Sequence, residues 1–233
     1  MSLKDLVNII PENYVLKIAD AKPELVNWKK ICKEFKLSED FIERHLDDVN
    51  WTYISRYRKL SEEFIEKYKD YVDWEEISLR QKLSEEFIEK FKDKVDWSVI
   101  SGNQKLSEEF IKKHANKVDW NNIFRFQELS EKFIEKFIEK YKDKISWTNW
   151  VNISRYQKLS ESFIEKYKDF VFWSYISEYQ ELSEEFIEKH KDKVNWNNIF
   201  DYQKLSPEFK EKWKKYIDEN YNFLKKIYSN IIN

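Results

Sequence analysis

Apolar and polar positions recur along the chain in a unit of 23 residues. The pair Leu-Ser and a tryptophan mark each unit, and all but one of the successive spacings of the pair are 23 residues, the exception being 30. The pairs begin at Leu37, Leu60, Leu83, Leu106, Leu129, Leu159, Leu182 and Leu205, and the tryptophans are Trp28, Trp51, Trp74, Trp97, Trp120, Trp150, Trp173 and Trp196. A period of this length predicts small structural units that bury apolar surface against their neighbours.

Each unit carries two helix-start signals. Ser61 is the expected N-cap of a first helix over residues 62–71, whose acidic first turn complements the helix dipole. Asp73 is the expected N-cap of a second, short helix over Trp74–Arg80. Neither helix is long enough to be stable alone, so packing between repeats must stabilise both. Phe172 occupies the second cap position in one repeat, where we expect a weaker helix start.

These signals predict an all-α protein, a right-handed α-solenoid of about eight 23-residue two-helix repeats with N- and C-terminal caps. We expect a single domain, in which residues 1–36 form a degenerate first repeat, residues 37–204 the repeats and residues 205–233 a C-terminal capping helix. Seven residues inserted within 129–158, four of them a doubled FIEK, predict a first helix about one turn longer. An amphipathic helix that binds a partner or a membrane surface is the alternative interpretation of the C-terminus.

Composition excludes several classes of function. The 233 residues contain one Gly and one Cys, against 10 Trp, 14 Tyr and 17 Phe. One glycine cannot build the phosphate-binding loops or nucleophile elbows of common enzymes, and no zinc-binding spacing is present, so we expect neither a cofactor nor catalysis. A net charge of −2 disfavours a nucleic-acid or anionic-membrane binder. No signal or transmembrane segment is recognised, so we expect a cytoplasmic, intracellular protein.

Side chains with catalytic or metal-binding chemistry fall at equivalent positions of different repeats. His45, His114 and His190 share one such position, so whole repeats separate them, and a structural role is favoured over a metal or acid–base role. Cys32 occupies a position that is serine in other repeats, so we expect a small packing residue rather than a nucleophile. The carboxylates recur beside lysines, which indicates a solvated helix face.

The positions that vary between repeats are the candidate binding surface. The first, second and fifth positions after each tryptophan change in charge and size, and an aromatic residue often follows at the sixth. On a short helix these positions form one ribbon, the kind of surface by which repeat proteins bind partners; unconstrained drift on a solvent face is the alternative. The predicted binding residues are Lys33, Tyr53, Arg56, Tyr57, Glu75, Glu76, Asn121, Asn122, Arg125, Arg155, Tyr156, Tyr175, Glu178, Tyr179, Asn197, Asn198, Asp201 and Tyr202.

Two repeats share a larger set of residues than the others. His114 is accompanied by Asn121, Asn122 and Phe124, and the equivalent residues of the second repeat are identical. Duplication of a block explains the match most simply, and two equivalent binding sites are the alternative.

The unit LSEEFIEK-Y-KDKVDW-xx-IS-x-YQK resembles short tryptophan-bearing helical repeats in proteins of large DNA viruses and bacteriophages, over about residues 10–206. The resemblance implies a virus-encoded adaptor or inhibitor that acts on a host protein, such as a defence factor, and it assigns no catalytic residue. We therefore expect a non-enzymatic protein-binding repeat scaffold that does not bind membranes.

The alternative function is a modular reader of single-stranded nucleic acid or nucleotides. Aromatic residues would stack on bases, and asparagine or a recurrent glutamine would read base edges. Hydrogen bonds between repeats explain the glutamines equally well. They are Gln81, Gln104, Gln127, Gln157, Gln180 and Gln203.

Overall fold

Two kinds of short helix alternate along the chain in the computed structural model, which describes residues 11–141 and 145–218. The Trp helices begin at a tryptophan: Trp28–Glu34, Trp51–Tyr57, Trp74–Arg80, Trp97–Asn103, Trp120–Phe126, Trp147–Tyr156, Trp173–Tyr179 and Trp196–Tyr202. The Ser-capped helices follow a serine: Glu39–Arg44, Glu62–Lys67, Glu85–Lys90, Glu108–Lys113, Glu131–Lys140, Glu161–Lys166 and Glu184–Lys189. The protein is therefore an all-helical repeat protein over the described residues.

The two ends of the described chain depart from this alternation. A helix over Glu12–Ala21 and a 3₁₀ turn over Pro23–Leu25 precede the first Trp helix. A helix over residues 207–218 follows Ser206, which caps it through the backbone N–H of Phe209 at 3.2 Å. Trp213 of this helix is buried, and its ring centroid lies 4.6 Å from that of Trp196. The rest of the two predicted caps falls on residues 1–10 and 219–233, outside the described residues.

The predicted caps begin the helices, but the first helix of the unit is shorter than expected. Ser61 Oγ accepts a hydrogen bond from the backbone N–H of Phe64 at 3.1 Å, and Trp74–Arg80 has its predicted bounds. The Ser-capped helix ends at Lys67 and not at residue 71, because Tyr68 leaves the helical conformation at φ −111° and ψ 30°. The backbone N–H of Val72 then bonds to the carbonyl of Tyr68, and residues 68–71 form turns.

Isoleucines and aromatic rings form the interior of each repeat. One isoleucine of every Trp helix and one of each of the seven Ser-capped helices named above is fully buried, Ile54 and Ile65 among them. The tryptophan that marks the repeat packs on the following Ser-capped helix and the residue after it, as Trp74 does on Phe87 and Phe91 at centroid distances of 6.3 and 5.0 Å. Burial of these large side chains is the main stabilising contribution between repeats.

A buried glutamine ladder joins successive repeats. The Nε2 group of Gln180 donates to the carbonyls of Ser154 and Gln157 at 3.0 and 2.9 Å, and its Oε1 accepts from the N–H of Leu159 at 2.9 Å. Gln81, Gln104, Gln157 and Gln203 make equivalent contacts. Each glutamine thus satisfies three backbone groups of the preceding repeat, which would otherwise be buried and unpaired.

A second polar link was not predicted from the sequence. The first glutamate of a Ser-capped helix accepts hydrogen bonds from the N–H and hydroxyl of the capping serine one repeat later, as Glu62 does from Ser84, with 2.9 Å to the hydroxyl. Glu39, Glu85, Glu131 and Glu184 make the same pair of contacts. These glutamates therefore connect repeats, in addition to lying in the favourable first turn of a helix.

The insertion lengthens two helices. Glu131–Lys140 has 10 residues, which confirms the predicted extra turn, and Trp147–Tyr156 also has 10. The second helix begins one turn early because Ser146 and Asn149 form a capping box ahead of the position used in other repeats. Trp150 keeps the usual position of the repeat tryptophan and is buried, whereas Trp147 is 70% exposed.

The chain divides into two compact units, residues 1–119 (unit 1) and residues 120–233 (unit 2). Within each unit, successive Trp helices pack against one another. The variable positions of the repeats lie on these helices.

Candidate functional site

The three histidines are structural members of their repeats. His114 is buried between Trp97 and Phe110, and its Nε2 lies 2.7 Å from the carboxylate of Glu89 in the preceding repeat. His45 and His190 make equivalent contacts with Asp20 and Glu165. Within residues 11–141 and 145–218, no group of three or more His, Cys, Asp or Glu side chains is arranged to hold a metal ion.

Cys32 is a buried packing residue. Its Sγ accepts a hydrogen bond from the backbone N–H of Asn50 at 3.4 Å, the contact that Ser55 Oγ makes with Asp73 in the next repeat. Burial raises the pKa of the Cys32 thiol, which disfavours the nucleophilic thiolate.

The variable positions lie on the Trp helices, and their side chains make different contacts in the two units. In unit 1, the Nε of Arg56 lies 3.4 Å from Glu76, which also pairs with Arg80 at 3.7 Å. Tyr53 stacks on Tyr57 with a centroid distance of 5.7 Å. Glu76 therefore serves an ion-pair network between two Trp helices. Lys33 and Glu75 of this unit are exposed.

In unit 2, Arg155 lies among three tyrosines. Its guanidinium carbon is 5.2 Å from the ring centroid of Tyr156, 5.3 Å from that of Tyr175 and 5.2 Å from that of Tyr179. One terminal nitrogen of Arg155 also donates to the Tyr179 hydroxyl at 3.2 Å, and this hydrogen bond raises the pKa of Arg155. The charge is thus fixed over aromatic faces, which attract cations.

Further aromatic rings extend this arrangement in both directions. Arg125 lies over Tyr156 at 5.6 Å and over Phe126 at 5.0 Å. On the other side, Tyr175 lies 6.4 Å from Phe172, which lies 6.3 Å from Trp147. We call these residues the aromatic–arginine cluster: Arg125, Phe126, Trp147, Arg155, Tyr156, Phe172, Tyr175 and Tyr179. Much of the cluster is open to solvent, since Phe126 is 54% and Tyr179 is 43% exposed.

Two departures from the repeat help to build the cluster. Trp147 comes from the seven-residue insertion, and Phe172 replaces the Asn or Asp that precedes the repeat tryptophan in the other repeats. Phe172 has the same extended backbone as those caps, at φ −91° and ψ 98°, but provides no capping hydrogen bond, a loss of about 1 kcal/mol. The loss of a helix cap is a local sacrifice of the kind that is typical of functional sites.

The sequence signal for Trp147 and Phe172 was present but incomplete. The insertion and the missing cap are each visible in the repeat alignment, yet neither shows that the two side chains meet. The remaining cluster residues lie at the fifth and sixth positions after the tryptophan, or at the second in the case of Tyr175, where the sequence placed the ribbon.

The predicted asparagines make two different sets of contacts within unit 2. Asn121 accepts hydrogen bonds from Asn149 and Asn152 at 3.0 and 3.2 Å, whereas Asn198 donates to the carbonyl of Ser174 at 3.0 Å. Asn121 is the first residue after Trp120 and Asn198 is the second residue after Trp196, so these contacts belong to different positions of the repeat. Asn122 is half-buried, whereas Asn197, Asp201 and Tyr202 are exposed on the last Trp helix.

Comparison with known proteins gives no match: no family model, curated protein or solved structure is significantly similar to this chain. Among the described helices, none is both long and apolar enough to cross a membrane. The fold defines the chain as a helical repeat protein. Its function must be inferred from the contacts that its own residues make.

Proposed function

We propose that this chain is a non-enzymatic protein-binding repeat scaffold that binds its partner through the aromatic–arginine cluster. The observation that carries the proposal is the Trp147–Phe172 contact, which joins an insertion to a lost helix cap and extends an exposed aromatic surface. Drift of the surface alone gives no reason for an insertion and a lost helix cap to meet at one place.

The composition of the cluster supports this proposal. Tyrosine, tryptophan and arginine are the residues that contribute most to binding energy at protein interfaces. Tyr156, Tyr179 and Arg155 also hold one another in place, so little conformational entropy remains to be lost on binding. We propose that the scaffold is a right-handed α-solenoid with terminal caps. The resemblance to repeat proteins of viruses and bacteriophages adds the class of partner, a host protein on which a viral protein acts.

The alternative, a reader of single-stranded nucleic acid, loses the recurrent glutamines as base-reading groups. The ladder glutamines are buried, or half-buried in the case of Gln203, and both ends of each amide bond to the preceding repeat. The aromatic residues would remain for stacking, but the net charge of the whole chain is −2, which does not favour attraction of phosphates.

The proposal can be tested by partner capture with matched tyrosine variants. The full chain, Tyr156→Ala/Tyr179→Ala and the single variant Tyr57→Ala would be immobilised and exposed to a lysate of the host cells. We expect the unit 2 double variant to lose one captured protein that the Tyr57 variant retains, with unchanged circular dichroism for both. Identical captured proteins, or none for the unaltered chain, would contradict the proposal.

A further inference from the structure

Two shallow grooves lie side by side on unit 2, where successive Trp helices end. Tyr156 and Tyr179 line the first groove, and Tyr179 and Tyr202 line the second. These tyrosines are the last residues of three successive Trp helices, and they remain 39%, 43% and 60% exposed. Ladder glutamines also line the grooves, as do Leu159 and Leu182, which lie between a Trp helix and the next Ser-capped helix.

From this geometry we propose that the grooves bind an extended, proline-containing peptide segment of the partner, with three peptide residues per repeat. This inference rests on the proposed protein-binding function and specifies the chemistry of its partner. Polyproline II peptides dock on aromatic-lined grooves because their conformation is already extended, so little entropy is lost on binding.

The repeat spacing matches the period of such a peptide. Packed helices lie about 8–10 Å apart, and successive Trp helices of unit 2 pack on one another. A polyproline II segment rises about 3.1 Å per residue with three residues per turn, so one turn spans about 9 Å. A proline at every third position would therefore present the same face to each tyrosine in turn.

The charged residues that line the two grooves determine which order of acidic and basic residues in the peptide binds more tightly. Arg155, Lys158 and Glu181 line the first groove, which gives it an excess of positive charge. Glu178, Glu181 and Lys204 line the second groove, which has an excess of negative charge. The complementary peptide carries an acidic residue over the first groove and a basic residue over the second, three residues apart. A nucleic acid is disfavoured because its uniformly negative backbone would meet Glu178 and Glu181.

The test uses two fluorescein-labelled 12-residue peptides with proline at every third position. One carries Asp three residues before Lys, the other carries Lys three residues before Asp, and binding to the full chain is followed by fluorescence anisotropy. We expect one charge order to bind at least tenfold more tightly than the other. Replacing the prolines with glycine should weaken binding at least tenfold, because the flexible peptide loses more entropy.

Protein variants then separate charge selection from aromatic contact. The double variant Lys158→Glu/Glu178→Lys preserves the net charge and every tyrosine, and it should reverse the preferred charge order. Tyr179→Ala should lose binding of both peptides, whereas Tyr57→Ala in unit 1 should bind as the unaltered chain does. Circular dichroism and the unfolding midpoint verify that each variant is folded.

Several outcomes would overturn the inference. These are equal affinity for both charge orders, no binding of either peptide, failure of the double variant to reverse the preference, or preferential binding of an oligothymidine probe. If the peptides fail while the unit 2 tyrosine variant still loses partner capture, only the peptide inference is wrong. If partner capture fails as well, the proposed function is wrong too.

Discussion

Units 1 and 2 share one internal framework but present different surfaces. The ladder residues Gln104 and Gln180 make the same three contacts within their respective units. The sixth position after the repeat tryptophan, by contrast, is occupied by Glu34, Tyr57, Arg80 and Asn103 in unit 1 and by Phe126, Tyr156, Tyr179 and Tyr202 in unit 2. The framework tolerates either set, because these side chains do not take part in the glutamine ladder or the glutamate–serine links.

Under the proposed function, this difference assigns the binding surface to unit 2. Unit 2 alone combines the insertion, the lost cap at Phe172 and an aromatic residue at every sixth position. In unit 1, the equivalent surface is dominated by charged pairs such as Arg56 with Glu76. Exposed ion pairs contribute little free energy, whereas exposed tyrosines provide contact area for a partner.

The largest predicted effect is common to both units. Gln104→Ala and Gln180→Ala should each lower the free energy of unfolding by about 3 kcal/mol, because each leaves buried backbone groups without a hydrogen-bond partner. Urea unfolding measures the loss, with the exposed neighbours Lys105→Ala and Glu181→Ala as controls that should change little. A markedly smaller loss in one unit would contradict the shared framework.

Much of this framework could be predicted from the sequence. The two helices of each repeat, the serine and aspartate caps and the bounds of Trp74–Arg80 follow from local signals, because a cap bonds to a backbone only three residues away. The link from Glu62 to Ser84 could not be predicted in this way. It joins residues 22 positions apart, and which carboxylate meets which serine depends on how the repeats stack.

The candidate site was predicted only in part, for the same reason. The variable ribbon includes Arg155, Tyr175 and Tyr179, since variation between repeats reveals positions that packing leaves free. Their assembly into one cluster depends on side-chain directions across neighbouring helices. The contact between Trp147 and Phe172 depends on where the inserted turn begins, which Ser146 determines through its capping box.

The next largest effect distinguishes the two units. Tyr179→Ala should weaken binding of the captured partner about 30-fold, equivalent to about 2 kcal/mol, because Tyr179 contacts Arg155 and lines both grooves. Tyr57→Ala, the matched change in unit 1, should alter affinity less than twofold. Isothermal titration calorimetry with the purified partner measures both. Equal losses would show that the binding surface extends over both units.

Exchanging the cap residues should produce opposite changes in stability. Phe172→Asp supplies the missing acceptor to a backbone already in the cap conformation, so unfolding should become about 1 kcal/mol less favourable. Asp73→Phe removes the acceptor that bonds to the N–H of Glu76, and it should destabilise unit 1 by a similar amount. Chemical unfolding measures both changes. Phe172→Asp should also weaken partner binding, and a variant that gains stability with unchanged affinity would exclude Phe172 from the site.

The smallest predicted effect is a response to acid that the two units share. Glu89 in unit 1 accepts hydrogen bonds from Lys113, Lys92 and His114, which lower the pKa of its carboxyl to about 2. Because the folded pKa lies below the ordinary value of 4.5, the ionised carboxylate stabilises the fold above pH 4.5. This contribution is lost as the pH falls from 4.5 towards 2.

Glu165 is the equivalent residue of unit 2, where Lys189, Lys168 and His190 likewise lower its pKa to about 2. Glu89→Gln and Glu165→Gln should therefore each reduce the slope of unfolding free energy against pH between 4.5 and 2, and by similar amounts. Urea unfolding at a series of pH values measures the slopes. Both carboxylates lie at the surface, so 1 M salt should diminish the effect in each unit. A slope that changes for one variant alone would show that this ion-pair network, unlike the glutamine ladder, differs between the units.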